Sequence, residues 1–181
     1  MNIAVFGGSF DPPHIGHEQI VYQVLNELYL DKLLIVPTFL NPFKIKFHFK
    51  PNTRFDLLQE LFKGNHKIEV SNFEILNDKP TPSIITIKHF KQIYNPKKIY
   101  LIIGSDNLEK LHLWSNFKEL NELVEFVVIT RDGYEAKNDI IRFKNIKLDI
   151  PVSSTSLRES LNLDLIPTKI QQKVKKLCNN E

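Results

Sequence analysis

Cysteine is nearly absent from this chain: Cys178 is the only one in 181 residues. A single thiol excludes an internal disulfide and a metal site built on cysteines, and it is typical of proteins in a reducing compartment such as the cytoplasm. No apolar run approaches the roughly eighteen residues of a membrane span, and no basic flank with a long apolar segment follows Met1. We therefore expect a cytoplasmic protein with neither a secretory signal nor a membrane-spanning helix.

An excess of charge of one sign is also missing. The formal net charge is only +3, and the lysines are dispersed except for a group near the end of the chain, Lys169, Lys173, Lys175 and Lys176. We interpret that group as the solvated face of a helix, because the balance is too weak to indicate a nucleic-acid partner and suits phosphorylated small molecules. The chain has 42% apolar residues and no linker, repeat or low-complexity segment, so residues 1–181 are predicted to form a single domain.

The first seventeen residues, MNIAVFGGSFDPPHIGH, carry the most information. The apolar run from Asn2 to Phe6 predicts a buried strand of a parallel sheet, and Gly7-Gly8 opens it into a loop where main-chain N–H groups can approach phosphate oxygens. A helix is predicted to begin at Gly16-His17-Glu18, with its unpaired N–H groups facing that loop. His14 and His17 lie three residues apart, so both rings can face one side and donate hydrogen bonds to an anion. A glycine turn or two histidines alone are weak signals, but together they predict a phosphate site.

Strands and helices alternate along the rest of the chain. Because a strand, a helix and a second parallel strand cross over right-handedly, we predict an α/β fold that is Rossmann-like, with an open, mostly parallel sheet and helices on both faces. Strands are predicted at Lys32–Val36, from Lys98 to Gly104-Ser105-Asp106, at Glu125–Thr130 and, as an edge strand, at Lys144–Leu148, with short extended segments at Ile68–Val70 and Phe73–Ile75. One helix is predicted to begin at Asn52; its Arg54 is interpreted as exposed, with contact to a ligand phosphate as the alternative. A second helix is predicted to have Ser83 as its cap and Ile84, Ile87, Phe90 and Ile93 on its apolar face, and a third to run from Pro167 to Glu181.

Hydroxyl side chains gather at another predicted helix start. A plain N-cap needs one hydroxyl, whereas Ser153, Ser154 and Thr155 stand together and Arg158 follows them. Helix N–H groups and a guanidinium, which can bind phosphate oxygens by two hydrogen bonds, predict a second phosphate nest. Asp106 follows a strand end, where open α/β sheets bind ligands. Its carboxylate can accept hydrogen bonds from ribose hydroxyls, although a helix cap is the alternative.

These motifs resemble those of one enzyme family. The run from Gly7 to His17, GGSFDPPHIGH, resembles the nucleotidyltransferase superfamily with an H-x-G-H motif and, within it, the bacterial nicotinate (nicotinamide) mononucleotide adenylyltransferases. The run from Val152 to Arg158 is similar to the family's I-S-S-T-x-I-R, and the segment that ends at Trp114 is similar to its G-x-D…L-x-x-W. The resemblance implies that AMP is transferred from ATP to nicotinate mononucleotide, which forms nicotinate adenine dinucleotide and pyrophosphate in NAD biosynthesis. It also implies Mg²⁺ carried mainly by the ATP phosphates.

The resemblance further implies roles for individual residues. Lys44 is expected to contact the substrate phosphate, although Asn41 and Phe43 replace a proline and a histidine of the family's pattern. Ser83 is expected to help hold the pyridine substituent, and Trp114 to stack on the pyridine ring. The expected catalytic residues are His14, His17 and Arg158; the ATP and phosphate contacts are Gly7, Gly8, Ser9, Phe10, Ser153, Ser154 and Thr155; the contacts to nicotinate mononucleotide are Lys44, Ser83, Asp106 and Trp114.

The sequence leaves three alternatives open. A sister transferase would pass AMP to phosphopantetheine or CMP to a phosphoalcohol, although such enzymes more often have Thr where Pro13 stands. The run from His14 to His17 also resembles the motif of class I aminoacyl-tRNA synthetases, but the chain is short and lacks their K-M-S-K-S partner. A non-catalytic nucleotide sensor would bind ATP without releasing pyrophosphate. The choice between nicotinate and nicotinamide mononucleotide rests on a few polar contacts and stays open.

Overall fold

The computed structural model describes residues 1–40, 46–130, 141–148, 157 and 162–179. Its strands are Asn2–Gly8 (β1), Lys32–Pro37 (β2), Ile68–Val70 (β3), Lys98–Gly104 (β4), Glu125–Thr130 (β5) and Phe143–Lys147 (β6). They form one six-stranded sheet in the order β3-β2-β1-β4-β5-β6, and every neighbouring pair is parallel. The predicted Rossmann-like sheet is therefore confirmed, and β6 occupies the edge as predicted.

Helices cover both faces of this sheet. They are Ile15–Glu27 (α1), Pro51–Phe62 (α2), Phe73–Leu76 (α3), Ser83–Tyr94 (α4), Phe117–Leu123 (α5) and Thr168–Cys178 (α6). On one face α1, α2 and α6 pack around Val24, Leu58 and Val174, and on the other α4 and α5 pack through Ile87 and Leu120. Within the described part of the chain, none of these helices has the length and apolar character needed to span a bilayer.

The side chains of β1 alternate between these two cores. Ala4 and Phe6 belong to the core under α1, whereas Ile3 and Val5 belong to the core under α4, and all four are buried. A strand that is covered on both faces needs apolar residues at every position, which explains why this run shows no polar alternation. Burying a Val, Ile or Phe side chain contributes about 1.5–3 kcal/mol. The buried side chains of β1 therefore fix the position at which the following loop begins.

The segment after β3 is helical, so the prediction of an extended segment at Phe73–Ile75 is wrong. The Phe73 N–H donates to the Ser71 hydroxyl oxygen at 3.3 Å, which starts one helical turn. This turn stacks the Phe73 ring on His89 of α4, with the ring centroids 3.7 Å apart. A local hydroxyl bond and packing against α4 therefore override the weak strand preference of three residues.

The prediction that Ser83 caps α4 is also wrong. The Ile85 N–H donates to the Pro82 carbonyl oxygen at 2.9 Å, so Pro82 is the N-cap and Ser83 is the first helical residue. Proline is tolerated at a helix start because it has no N–H that needs a partner. Three residues of the predicted apolar face, Ile84, Ile87 and Phe90, are buried, whereas the fourth, Ile93, is exposed.

Candidate active site

The candidate site lies where the order of the strands reverses. The chain passes from β1 through α1 to β2 on one side, while β4 lies on the other side of β1. This reversal opens a crevice at the carboxyl ends of β1 and β4, which is where open α/β sheets bind ligands. Because Phe6 of β1 is in register with Ile102 of β4, the strand ends at Gly7-Gly8 and at Gly104 lie side by side. Predicted site residues from distant parts of the sequence therefore meet at one edge.

The loop after β1 is organised around the Phe10 side chain. Phe10 has a positive φ of 47° and is 1% exposed. Its ring packs edge-on against Phe6, with the centroids 5.3 Å apart, and against His17 at 4.7 Å. A Cβ on Gly8 would lie 3.1 Å from this ring, whereas a Cβ on Gly7 would meet nothing closer than 4.0 Å. Gly8 therefore makes room for Phe10, and only the main chain of Phe10 is available to a ligand.

His14 and His17 form a stacked pair at the start of α1. Their ring centroids are 3.7 Å apart and the planes are inclined by 26°. His14 is the N-cap residue and is 4% exposed, and His17 is half-buried in the first turn. The His14 main-chain N–H donates to Nδ1 of His17 at 3.2 Å. Because Nδ1 is the acceptor, the proton of the neutral His17 ring is assigned to Nε2, which can donate a hydrogen bond to an anion.

Arg54 is buried, so the prediction that it is exposed is wrong. The side chain is 1% exposed and points from α2 toward the site. Its Nη1 donates to the Ser9 carbonyl oxygen at 2.6 Å, and its Nε donates to that of Phe49 at 3.1 Å. Its Nη2 donates to the carbonyl oxygens of Thr38 and Phe39 at 2.8 and 2.9 Å. Burial lowers the pKa of this guanidinium, and the nearby Asp11 carboxylate raises it.

A signal for the burial of Arg54 is present in the sequence. Leu57, Leu58 and Leu61 form the buried face of α2, and Arg54 precedes them by three, four and seven residues. Residues at these separations lie on one side of a helix. The helical period therefore places Arg54 on the buried face, and a preference for exposed arginine concealed that position.

Asp11 fastens the same loop to the segment after β2. Its carboxylate is buried and accepts hydrogen bonds from the N–H groups of His48 and Phe49, at 2.8 and 2.7 Å. At the other end of that segment the Thr38 N–H donates to the Gly8 carbonyl oxygen at 2.9 Å. We call residues 8–11 the β1 loop, and residues 38–40 and 46–49 the β2 segment. The two are joined by Asp11, Arg54 and this main-chain bond.

At the end of β4, Asp106 lies in a short 3₁₀ turn, Ser105–Asn107, and is exposed. Its Oδ1 occupies the space that a Cβ on Gly104 would need, and the Asn107 side-chain amide donates to the Gly104 carbonyl oxygen at 3.3 Å. The room at Gly104 is therefore filled by the Asp106 carboxylate. The carboxylate itself is exposed at the edge where the crevice lies.

Two predicted substrate contacts lie on the α4 side of the sheet. Ser83 is half-buried in the first turn of α4. Trp114 follows a second 3₁₀ turn, Leu111–Leu113, and is half-buried against the core under α4. The structure therefore places both residues on the same side of β4, and both are half-buried.

A buried carboxyl group that the sequence analysis did not single out lies beneath α4. Glu74 of α3 is 4% exposed, and the Thr86 hydroxyl donates to its Oε1 at 2.6 Å. Its Oε2 is buried with no hydrogen-bond partner among the described residues. Burial raises the pKa of the Glu74 carboxyl to about 7, although the bond from Thr86 lowers it. Such a group is neutral over much of the range in which an ordinary glutamate is charged.

Five predicted site residues lie outside the described ranges: Lys44, Ser153, Ser154, Thr155 and Arg158. The second phosphate nest therefore stays a prediction. Leu157, which is described, is buried in the core under α1. In the described residues, no three His, Cys, Asp or Glu side chains gather in a group that could hold a metal ion.

Comparison with known families agrees with this geometry. The match to the cytidylyltransferase-like family covers residues 5–160, which is most of the sheet and the whole β1 loop. The chain belongs to the cytidylyltransferase-like family.

Within that family, the chain is similar over nearly its whole length to proteins named "Probable nicotinate-nucleotide adenylyltransferase". The protein from Aliarcobacter butzleri is 46% identical over 175 residues, which cover 96% of this chain and 95% of that protein. The protein from Campylobacter jejuni serotype O:6 is 44% identical over 176 residues, which cover 97% and 96%.

A solved structure has the same fold. It is the nicotinic acid mononucleotide adenylyltransferase of Plasmodium falciparum complexed with NaAD, with a TM-score of 0.74. The match covers 95% of this chain and 89% of that chain. Because the two sequences are only 22% identical, the match shows that the fold is shared and shows nothing further.

Proposed function

We propose that this protein transfers AMP from ATP to nicotinate mononucleotide, which yields nicotinate adenine dinucleotide and pyrophosphate. The observation that carries the proposal is the stacked His14–His17 pair at the N-terminus of α1, beside the crevice between β1 and β4. Helix N–H groups and an imidazole Nε2–H are donors suited to phosphate oxygens. The names of the relatives at 44–46% identity support the choice of substrates.

The reaction needs no covalent enzyme intermediate. An oxygen of the nicotinate mononucleotide phosphate forms a bond to the α-phosphorus of ATP, and the bond from that phosphorus to the oxygen of the leaving pyrophosphate breaks. The attacking phosphate is already ionised and nucleophilic at neutral pH. The protein therefore has to align the two nucleotides and stabilise charge on the bridging and leaving oxygens.

His14, His17 and Arg158 are the proposed catalytic residues. His17 donates from Nε2, and neither histidine acts as a general base. Gly7, Gly8, Ser9 and Phe10 are proposed to bind the ATP phosphates. The Ser9 carbonyl oxygen accepts from Arg54, so the groups that Ser9 offers to a phosphate are its N–H and its hydroxyl. Ser153, Ser154 and Thr155 are proposed as the second phosphate nest.

The substrate contacts are proposed from the α4 side and from the strand ends. Trp114 stacks on the pyridine ring, Ser83 binds its substituent and Asp106 accepts from ribose hydroxyls. The exposure of the Asp106 carboxylate at the end of β4 supports this last role. Lys44 is proposed as a contact to the phosphate of nicotinate mononucleotide.

Mg²⁺ is the proposed cofactor, and ATP brings it to the site. The groups that line the β1 loop and the start of α1 include two imidazoles and main-chain N–H donors. Mg²⁺ prefers oxygen ligands and keeps several waters, so this donor set suits an ion that is held by phosphate oxygens. When bound, the ion neutralises negative charge on the β- and γ-phosphates.

The whole chain is proposed to act as one nucleotidyltransferase domain in the cytoplasm. The single domain is supported by the packing of α6, near the C-terminus, which contributes Ile170 and Val174 to the same core as α1 and α2. The Lys169 ammonium group also donates to the Leu61 carbonyl oxygen of α2 at 3.2 Å.

Pyrophosphate release tests the proposed function. Purified protein receives ATP and Mg²⁺ with nicotinate mononucleotide, nicotinamide mononucleotide or phosphopantetheine in separate reactions. Release with nicotinate mononucleotide, and a smaller rate with the amide, is the expected result. Release with phosphopantetheine alone would identify a sister transferase. ATP binding without release in any reaction would identify a nucleotide sensor.

A further inference from the structure

A buried arginine connects the two segments that border the phosphate site. We propose that Arg54 is a positioning residue, which sets the place of the β1 loop relative to the β2 segment and thereby the place of His17. The proposal rests on the proposed function for its kinetic consequence. Its structural part is that one side chain couples the two segments, and this part depends only on the hydrogen bonds that Arg54 donates.

All four hydrogen bonds of the Arg54 guanidinium described above end on main-chain carbonyl oxygens. One bond reaches the β1 loop at Ser9, and three reach the β2 segment at Thr38, Phe39 and Phe49. A guanidinium is a rigid planar fork with five N–H donors, so its bonds fix the relative position of their acceptors. Lysine has three donors on one nitrogen atom and cannot reproduce that geometry.

Burial of this charge argues against a role in packing alone. Removing a cation from water costs several kcal/mol, and an apolar side chain of similar volume often packs as well or better. The pKa of the guanidinium is lowered by that burial. Arg54 nevertheless bonds to both segments, which in the described part of the chain are also joined by the bonds to Asp11 and by the main-chain bond from Thr38 to Gly8.

A short path leads from Arg54 to the proposed catalytic pair. Arg54 holds the Ser9 carbonyl, and the next residue, Phe10, packs its ring on His17 with the centroids 4.7 Å apart. A shift of Ser9 therefore moves the surface against which His17 rests. Misplacement of a catalytic group by about 1 Å can lower a rate by about 10²-fold, so the expected loss is in turnover.

Steady-state kinetics of Arg54→Lys test the catalytic consequence. We expect kcat for pyrophosphate release to fall about 10²-fold, while KM for ATP changes less than about threefold, because the binding groups remain and their alignment is lost. Gln59→Ala is the matched control, since Gln59 is an exposed residue of the same helix. A folded Arg54→Lys protein with kcat within twofold of the wild type, or with an altered KM alone, would overturn the proposal.

Amide hydrogen exchange tests the coupling without reference to activity. The N–H groups of Thr38, His48 and Phe49 donate to the β1 loop. If the two segments open together, the protection factors of these three amides in the wild type should agree within about threefold. In Arg54→Lys all three should exchange at least tenfold faster, with the amides of β4 unchanged. Wild-type protection factors that differ by more than tenfold would overturn the coupling, even if the variant fails to fold. A wild type that releases no pyrophosphate would instead contradict the proposed function, and the exchange data would still decide this proposal.

Discussion

The main-chain N–H of His14 donates a hydrogen bond to Nδ1 of His17 at 3.2 Å, and this bond determines what the His17 ring can do. With Nδ1 occupied as an acceptor, the ring of neutral His17 carries its proton on Nε2 and has no free lone pair for a proton from a substrate. The ring is therefore a hydrogen-bond donor. That role fits adenylyl transfer to a phosphate, because the phosphate nucleophile has no proton to lose.

Replacement of His17 tests that donor role. We expect His17→Ala to lower kcat for pyrophosphate release about 10²- to 10³-fold, the usual effect of removing one donor to developing negative charge. The fold should persist, because the ring is half-buried and its contacts to the core are confined to the edge formed by Phe6 and Phe10. The measurement pairs steady-state turnover with thermal unfolding. His66→Ala, at an exposed histidine, is the control, and wild-type turnover in His17→Ala would remove the proposed role.

Glu74 makes the stability of the fold depend on pH. The carboxyl has a pKa of about 7 in the folded protein, above its ordinary 4.5, so folding favours the protonated form. Its stabilising contribution is fully present below pH 4.5 and is lost as the pH rises through 7. The loss is on the order of 3 kcal/mol when complete.

Glu74→Gln should remove that dependence, because the amide does not titrate. Urea unfolding at pH 5, 6, 7 and 8 gives the free energy of unfolding at each pH. The test compares how steeply this free energy falls with pH in the wild type and in the variant. The exposed Glu109 provides the control variant, Glu109→Gln, whose profile should follow that of the wild type. Parallel profiles for wild type and Glu74→Gln would contradict the buried, protonated state of Glu74.

The two neighbouring glycines of the β1 end should respond differently to a methyl group. A Cβ on Gly8 would lie 3.1 Å from the ring of Phe10, which is already held between Phe6 and His17. We expect Gly8→Ala to lower the free energy of unfolding by about 1–3 kcal/mol, which is the usual cost of adding a methyl group to a packed core. Thermal unfolding should show a decrease of about 3–10 °C for a chain of this size. Gly7→Ala is the comparison and should unfold close to the wild-type temperature, since the nearest atom to its Cβ, the Val36 carbonyl oxygen, lies 4.0 Å away. Equal shifts in the two variants would contradict the different packing of the two glycines.

Gly104 and Asp106 should act as one unit. A methyl group on Gly104 would displace the Asp106 carboxylate. Gly104→Ala and Asp106→Ala should therefore each raise the KM for nicotinate mononucleotide about 10- to 100-fold, which is the effect of losing a hydrogen bond to a charged acceptor. The double variant should be little worse than either single one. A double-mutant cycle on kcat/KM checks this, with Glu109→Ala as the control for the exposed surface nearby. Strictly additive effects would mean that Gly104 acts independently of Asp106.

The strands and most of the helices could be predicted because their signals are local. The run from Ile3 to Phe6 is apolar at every position, which is what a strand between two layers of helices requires. The same rules failed at Phe73–Ile75, where only three residues carried the signal and a bond to Ser71 made a helical turn. Ser83 was misplaced by one position, because both proline and serine are accepted near a helix start.

From the sequence alone a phosphate site could be predicted after the first strand, since the glycines, the two histidines and the helix start are all contained in residues 7–18. Tertiary structure decided how that site is held. Arg54 bonds to Ser9, which lies 45 residues away, and Asp11 bonds to Phe49, 38 residues away. Periodicity and capping rules extend over only a few residues, so they cannot anticipate bonds between segments that meet only when the sheet assembles. The tautomer of His17 and the space that Gly8 leaves for Phe10 were decided in the same way, by atoms that folding brings into contact.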